Sequence, residues 1–113
     1  MGGVLSSPLM PMQIVSAPIT RDELRRIAGQ QFGDFVKAVV DVQGGVMAIG
    51  AELHADEEAL LLEQGARQAD LWGINLYPDR ANDELIEFDR SRGVDDAAVQ
   101  ALIQAIVGRL VAP

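Results

Sequence analysis

The chain has no cysteine among its 113 residues and a single histidine, His54. Without thiols there can be no disulfide, no thiolate zinc site and no cysteine nucleophile, which fits a reducing compartment. One imidazole excludes every metal site that draws two or three histidines from the same chain. Aromatic residues are scarce, three Phe, one Trp and one Tyr, so exposed bases would find few rings to stack on. A formal net charge of −8 also repels phosphate backbones, and nucleic acid is not an expected partner. No stretch approaches the ~18 uninterrupted apolar residues of a membrane span. The opening MGGVLSSPLMPMQIV lacks a basic start and is broken by Pro8 and Pro11, so it does not read as a signal peptide. A cytoplasmic protein with no membrane partner is expected.

The length suits one domain, since single cores typically run ~100–150 residues. Residues 1–11, rich in Gly, Ser and Pro, read as a flexible tail, and residues 12–113 as the domain. The charge is uneven. Residues 52–89 hold eleven acids and two bases, whereas the rest of the chain is nearly neutral. Any argument about a charged partner therefore concerns that stretch.

Met12–Ala17 is a short apolar segment stopped by Pro18 and suits an edge strand. Thr20-Arg-Asp-Glu23 is a capping box, with Ile19 and Leu24 placed as a hydrophobic staple. It predicts a helix over about 21–32 ended by Gly33. Phe35–Val42 and Val46–Ile49 read as a central strand pair joined through Gly44-Gly45. A second helix is expected near 56–64, opening on Asp56-Glu57-Glu58 and stopping at Gly65. Leu71–Tyr77 alternates, with Trp72, Ile74 and Leu76 on one face and Gly73, Asn75 and Tyr77 on the other. Glu84–Asp89 is its expected partner strand. The last helix is predicted from a cap at Asp95 and a staple between Val94 and Val99. Its apolar face is Val99, Leu102, Ile103, Ile106, Val107 and Leu110. The order β-α-β-β-α-β-β-α, with two hairpins, predicts a single α+β domain with a mostly antiparallel or mixed sheet packed by helices.

One constellation could carry chemistry. In extended backbone, Glu52, His54 and Asp56 would point to one side, offering two carboxylates and an imidazole to a hard or borderline divalent cation such as Mg²⁺, Mn²⁺ or Ca²⁺. Glu57, Glu58 and Glu63 would follow on the helix, and Asn75 and Tyr77 could face the same side. A plainer reading stands beside it: Asp56 caps the helix, Glu57 and Glu58 complement its dipole, Glu52 is solvated, and His54 donates to a backbone carbonyl. Gly44-Gly45 lacks the pattern of a phosphate loop, and no serine sits in a nucleophile elbow. Ala101, Ala105, Gly108 and Ala112 form a small-residue stripe opposite the last helix's apolar face, which suggests a homodimer.

The segments Asp34-Phe-Val-Lys-Ala-Val-Val-Asp41, Gly50-Ala-Glu-Leu-His-Ala-Asp-Glu-Glu-Ala-Leu-Leu-Leu-Glu63, Asp70-Leu-Trp-Gly-Ile-Asn-Leu-Tyr-Pro78 and Ile86-Glu-Phe-Asp89 resemble an uncharacterised prokaryotic domain-of-unknown-function family over about residues 14–113. The resemblance implies a small cytoplasmic α+β domain and carries no activity to transfer. Its signature positions are Glu52, His54, Asp56, Glu63, Asp70, Trp72, Asn75 and Tyr77. The family pattern has a polar loop after the Glu-Phe-Asp strand, whereas here Asp89 runs straight into Arg90-Ser91-Arg92-Gly93. Loop residues are therefore expected to be missing between Phe88 and Gly93.

Three functions follow. The first is a binding or regulatory domain whose acidic, His-containing stretch meets a cation or a basic partner, with Glu63, Asp70, Trp72, Asn75 and Tyr77 as ligand-binding residues. The second is a metal-assisted hydrolase or transferase with the cation on Glu52, His54 and Asp56 and an acid such as Glu63 moving a proton. The third is a structural homodimer. With one His, no nucleophile and no phosphate loop, the binding domain is the favoured expectation.

Overall fold

The computed structural model describes residues 12–88 and 96–112. The expected tail 1–11, Asp95 and Val94 lie outside the described residues. So does the Asp89–Gly93 junction, where loop residues are expected to be missing.

The capping box begins the first helix as its chemistry requires. Thr20 is the N-cap of α1 (Arg21–Gln30), and its hydroxyl accepts from the Glu23 amide at 3.1 Å. The Glu23 carboxylate pairs with Arg26 one turn on. At the other end Gly33 takes φ +98° and its amide donates to the Ala28 carbonyl at 2.7 Å, so the helix closes two residues earlier than its spacing predicts.

Strands β1 (Gln13–Val15), β3 (Val36–Asp41), β4 (Val46–Ile49), β5 (Leu71–Leu76) and β6 (Ile86–Phe88) form an antiparallel sheet in the order β1-β4-β3-β5-β6. The β3–β4 pair is central, as expected, and β1 is an edge. Two very short strands, β2 (Ile19–Thr20) and β7 (Val111–Ala112), pair in parallel and have no counterpart in the sequence pattern. Helices α2 (His54–Glu63) and α3 (Ala97–Leu110) complete the α+β domain.

Alternation along the strands divides the core in two. One sheet face supplies Val36, Ala38, Val40, Ile49, Ile74 and Leu76 to a cluster with Leu24 and Ile27 of α1 and Ile103, Val107 and Leu110 of α3. The other face offers the buried Val39, Ala48 and Leu71 to Leu61 of α2, with the partly buried Ile14 and Val46 beside them. α3 is capped by Asp96, not Asp95: the Asp96 carboxylate accepts from Ala98 at 2.8 Å and Val99 at 3.4 Å. Leu102 leaves the predicted apolar face and is 50% exposed. At about 100° per residue it lies roughly a quarter turn off the stripe centred on Ile103, Ile106, Val107 and Leu110.

The central hairpin depends on a buried carboxylate. Asp41 Oδ1 accepts from the amides of Gln43 and Gly44, each at 3.0 Å, and Gly45 closes the turn at φ +72°. Arg109 of α3 donates to the Gly45 carbonyl at 2.7 Å, tying the turn to the last helix. Asp41→Ala strands two amides and is expected to destabilise the protein by about 1–3 kcal/mol. Asp41→Asn, which keeps an accepting oxygen, should recover most of that loss in thermal melts.

Candidate functional site: the α2 groove and the polar end of the sheet

The acidic stretch is organised by how α2 begins. After β4, Gly50 turns the chain at φ +97°, and Gln31 donates to its carbonyl at 2.6 Å. The helix starts at His54, two residues earlier than predicted, with extended Leu53 at the capping position and no side-chain cap. Asp56 is therefore a first-turn residue near the positive end of the helix dipole and does not cap it.

The early start also separates the proposed ligand set. Residues two apart share a side in a strand but lie about 200° apart on a helix. His54 turns inward, and its Nε2 donates to the Ile74 carbonyl at 2.8 Å, as the plainer reading of the sequence held. Asp56 turns outward, to the side where Glu52 lies. Among the described residues, no group of three or more His, Cys, Asp or Glu side chains is placed to hold a metal ion.

Glu52, Asp56 and Glu63 instead rim one cavity of about 490 Å³, floored by Met12, Ala51, Leu53, Ala59 and Leu60. Leu53 is 57% exposed and Met12 39%, so the floor is an open apolar surface ringed by three carboxylates. The groove runs between the outer flank of α2 and the start of the edge strand β1.

Glu57 has the opposite fate. It shares the inward stripe with His54 and Leu61 and is fully buried. Its Oε2 accepts from the Ala51 amide at 3.0 Å, while Oε1 is buried with no hydrogen-bond partner. Burial pushes its carboxyl up to about 9, against the opposing pull of the Ala51 amide and the Lys37 charge. At neutral pH it is a protonated acid sealed beneath α2.

The remaining expected ligand residues divide among three places. Trp72 packs against the larger core, on the sheet face away from α2. Asp70 ends the short 3₁₀ turn before β5, where its carbonyl accepts from Val42 at 3.0 Å. Asn75 and Tyr77 do meet: Asn75 Nδ2 and the Tyr77 hydroxyl both donate to Glu87 Oε1, at 2.9 and 3.1 Å. Burial, then the Glu87 carboxylate, raises the Tyr77 hydroxyl above its ordinary range. Phe32 stacks on Phe35 at 4.7 Å, Phe35 leans on Tyr77 at 5.4 Å, and Arg80 and Lys37 lie over the Tyr77 and Phe32 rings. The cations cover the outer rings, so this ladder is a packed unit.

A family model for a protein of unknown function, DUF5674, matches residues 13–110. The chain belongs to the DUF5674 family. No curated protein and no solved structure is similar enough to count as a relative. The DUF5674 match spans both core clusters except Val111, the groove except Met12, and the Asn75–Glu87–Tyr77 cluster.

The residues that sequence reasoning missed in this DUF5674 domain are Met12, Leu53 and Glu87, and Glu57, expected as an acid at the start of the helix, is buried instead. Spacing held a signal for that burial: Glu57 lies three residues after His54 and four before Leu61, on one helical face. An acid on an otherwise buried stripe marks a buried acid. Among the described residues, no helix is long and apolar enough to cross a membrane.

Proposed function

We propose that this protein is a non-catalytic binding or regulatory domain that receives a basic, partly apolar segment of a partner in the α2 groove. The observation that carries this reading is the cavity in which Glu52, Asp56 and Glu63 ring a floor exposing Leu53 and Met12. A bare cation would be served by carboxylates alone and has no use for the apolar floor. Lysine and arginine use both, because their methylene stems cover apolar surface while their charged heads remain at the rim. Glu57, the carboxyl whose proton burial holds most tightly, is fully buried against the Ala51 amide and not open to a substrate.

Titration with a synthetic Lys/Leu peptide, followed by amide NMR shifts, tests the reading. Shifts should centre on Met12, Leu53 and Leu60 and weaken with added salt. Exposed ion pairs are each worth about 0.2–1 kcal/mol, so an Asp56→Asn, Glu63→Gln double variant should bind roughly two- to thirtyfold more weakly with its stability unchanged. Equal affinity for wild type and double variant would remove the groove from consideration.

A further inference from the structure

The groove lies against an unfinished sheet edge. Among the described residues, β1 is bonded on one side only, to β4. The phase of its main-chain groups follows from two loop bonds: Gly45 donates to the Asp41 carbonyl, and Val42 donates to the Asp70 carbonyl. Asp41 thus faces β4 and Val42 faces β5, so by alternation Val39 faces β4, opposite Ala48. Met47 and Ile49, on either side of Ala48, then turn toward β1, where they meet Val15 and Gln13. Between those two, the Ile14 N–H and C=O point out of the sheet. Such a pair of unsatisfied groups is a template for another strand.

Two cavities border this edge. One is the acid-rimmed groove at Met12; the other, of about 380 Å³, is formed by residues 13–19 with Glu23. A strand laid beside β1 would alternate its side chains between the α2 face, where the groove lies, and the opposite face of the sheet.

We propose that the partner segment binds as an added β-strand on β1, extended, with lysine or arginine at alternate positions facing α2 and apolar residues between them. This rests on the groove being the binding site. The basic side chains lay their stems on Met12 and Leu53 and bring their charges to Asp56 and Glu63, while the intervening apolar residues meet 13–19. Main-chain bonds supply affinity and the alternation supplies specificity. Charge decides against a second copy as the occupant. Two β1 strands paired antiparallel about a two-fold axis normal to the sheet would bring the acidic flanks of both α2 helices side by side on one face.

The test uses the full chain and an end-capped synthetic peptide of alternating Lys and Val, with two derivatives carrying backbone N-methyl groups on either the Lys or the Val residues. Strand addition uses the N–H groups of one peptide edge only. Exactly one derivative should therefore bind at least about tenfold more weakly, equivalent to about 1.4 kcal/mol, and the unmodified peptide should slow hydrogen exchange at the Ile14 amide by a similar factor. Equal binding of all three peptides with unchanged Ile14 exchange, still sensitive to Asp56→Asn and Glu63→Gln, overturns strand addition and leaves the groove reading standing. No binding by any of the peptides overturns both. A peptide-free dimer in sedimentation with Ile14 already protected would show that a second copy occupies the edge, and overturns the proposal.

Discussion

Between pH 5 and pH 9, Glu57→Gln is expected to become progressively more stable than the wild type. The Glu57 carboxyl is held up to about 9 in the fold, against an ordinary value of 4.5. Below the ordinary value both folded and unfolded chains carry the proton, and the favourable contribution is complete. As pH rises, the unfolded chain releases its proton while the folded chain keeps it, so the unfolded state binds fewer protons and stability falls. The slope approaches about 1.4 kcal/mol per pH unit, and the accumulated loss reaches several kcal/mol before the folded carboxyl itself ionises. Glutamine has no proton to release, its oxygen can still accept from Ala51, and its NH₂ replaces the acid O–H. Urea unfolding of both proteins at pH 5, 7 and 9 measures the difference directly. Stability curves that stay parallel across that range would mean that Glu57 is not held protonated in the fold.

Leu61→Ala is expected to destabilise the protein by about 2–5 kcal/mol. The larger core has both α1 and α3 against it, but the α2 face rests on Val39, Ala48, Leu61 and Leu71, and Leu61 is the fully buried helix residue among them. Truncating it leaves a void in the smaller cluster and loosens the helix that carries Asp56 and Glu63. Peptide binding should therefore fall together with the melting temperature. Leu62, one position along and 40% exposed, provides the control: Leu62→Ala should stay within about 0.5 kcal/mol of wild type. A Leu61→Ala protein that melts like the Leu62→Ala protein would show that α2 is held by something other than this cluster.

The parts of the fold legible in the sequence are those with local chemistry. Thr20 and Glu23 announce α1, Gly33 and Gly65 end their helices at positive φ, and the alternation of Trp72, Ile74 and Leu76 reports the face that meets the larger core. Where two neighbouring residues offer the same chemistry, as Asp95 and Asp96 do, tertiary packing chooses between them and the pattern cannot. β2 and β7 are two residues long, too short to show a period. The site was legible in composition and misread in direction. The acidic stretch does contain the groove, but reading residues 52–56 as extended grouped His54 with Glu52 and Asp56. Starting the helix at His54 sends the histidine to the sheet and leaves the two acids outside. The apolar half of the groove, Met12 and Leu53, carries no sequence signal, because an exposed leucine is indistinguishable from a buried one until its neighbours are placed.

The parallel pairing of Ile19 with Val111 bears on how the domain is made. It joins a residue near the start of the described chain to one near its end, so the loop it closes is long and its entropy is repaid only once the intervening structure is in place. A ribosome delivers Ile19 early and Val111 late. Throughout that interval the larger core, which includes Val40, Ile74 and Leu76, has α1 against it but not yet α3. The nascent chain is thus most exposed to misassociation just before synthesis reaches the residues that complete it.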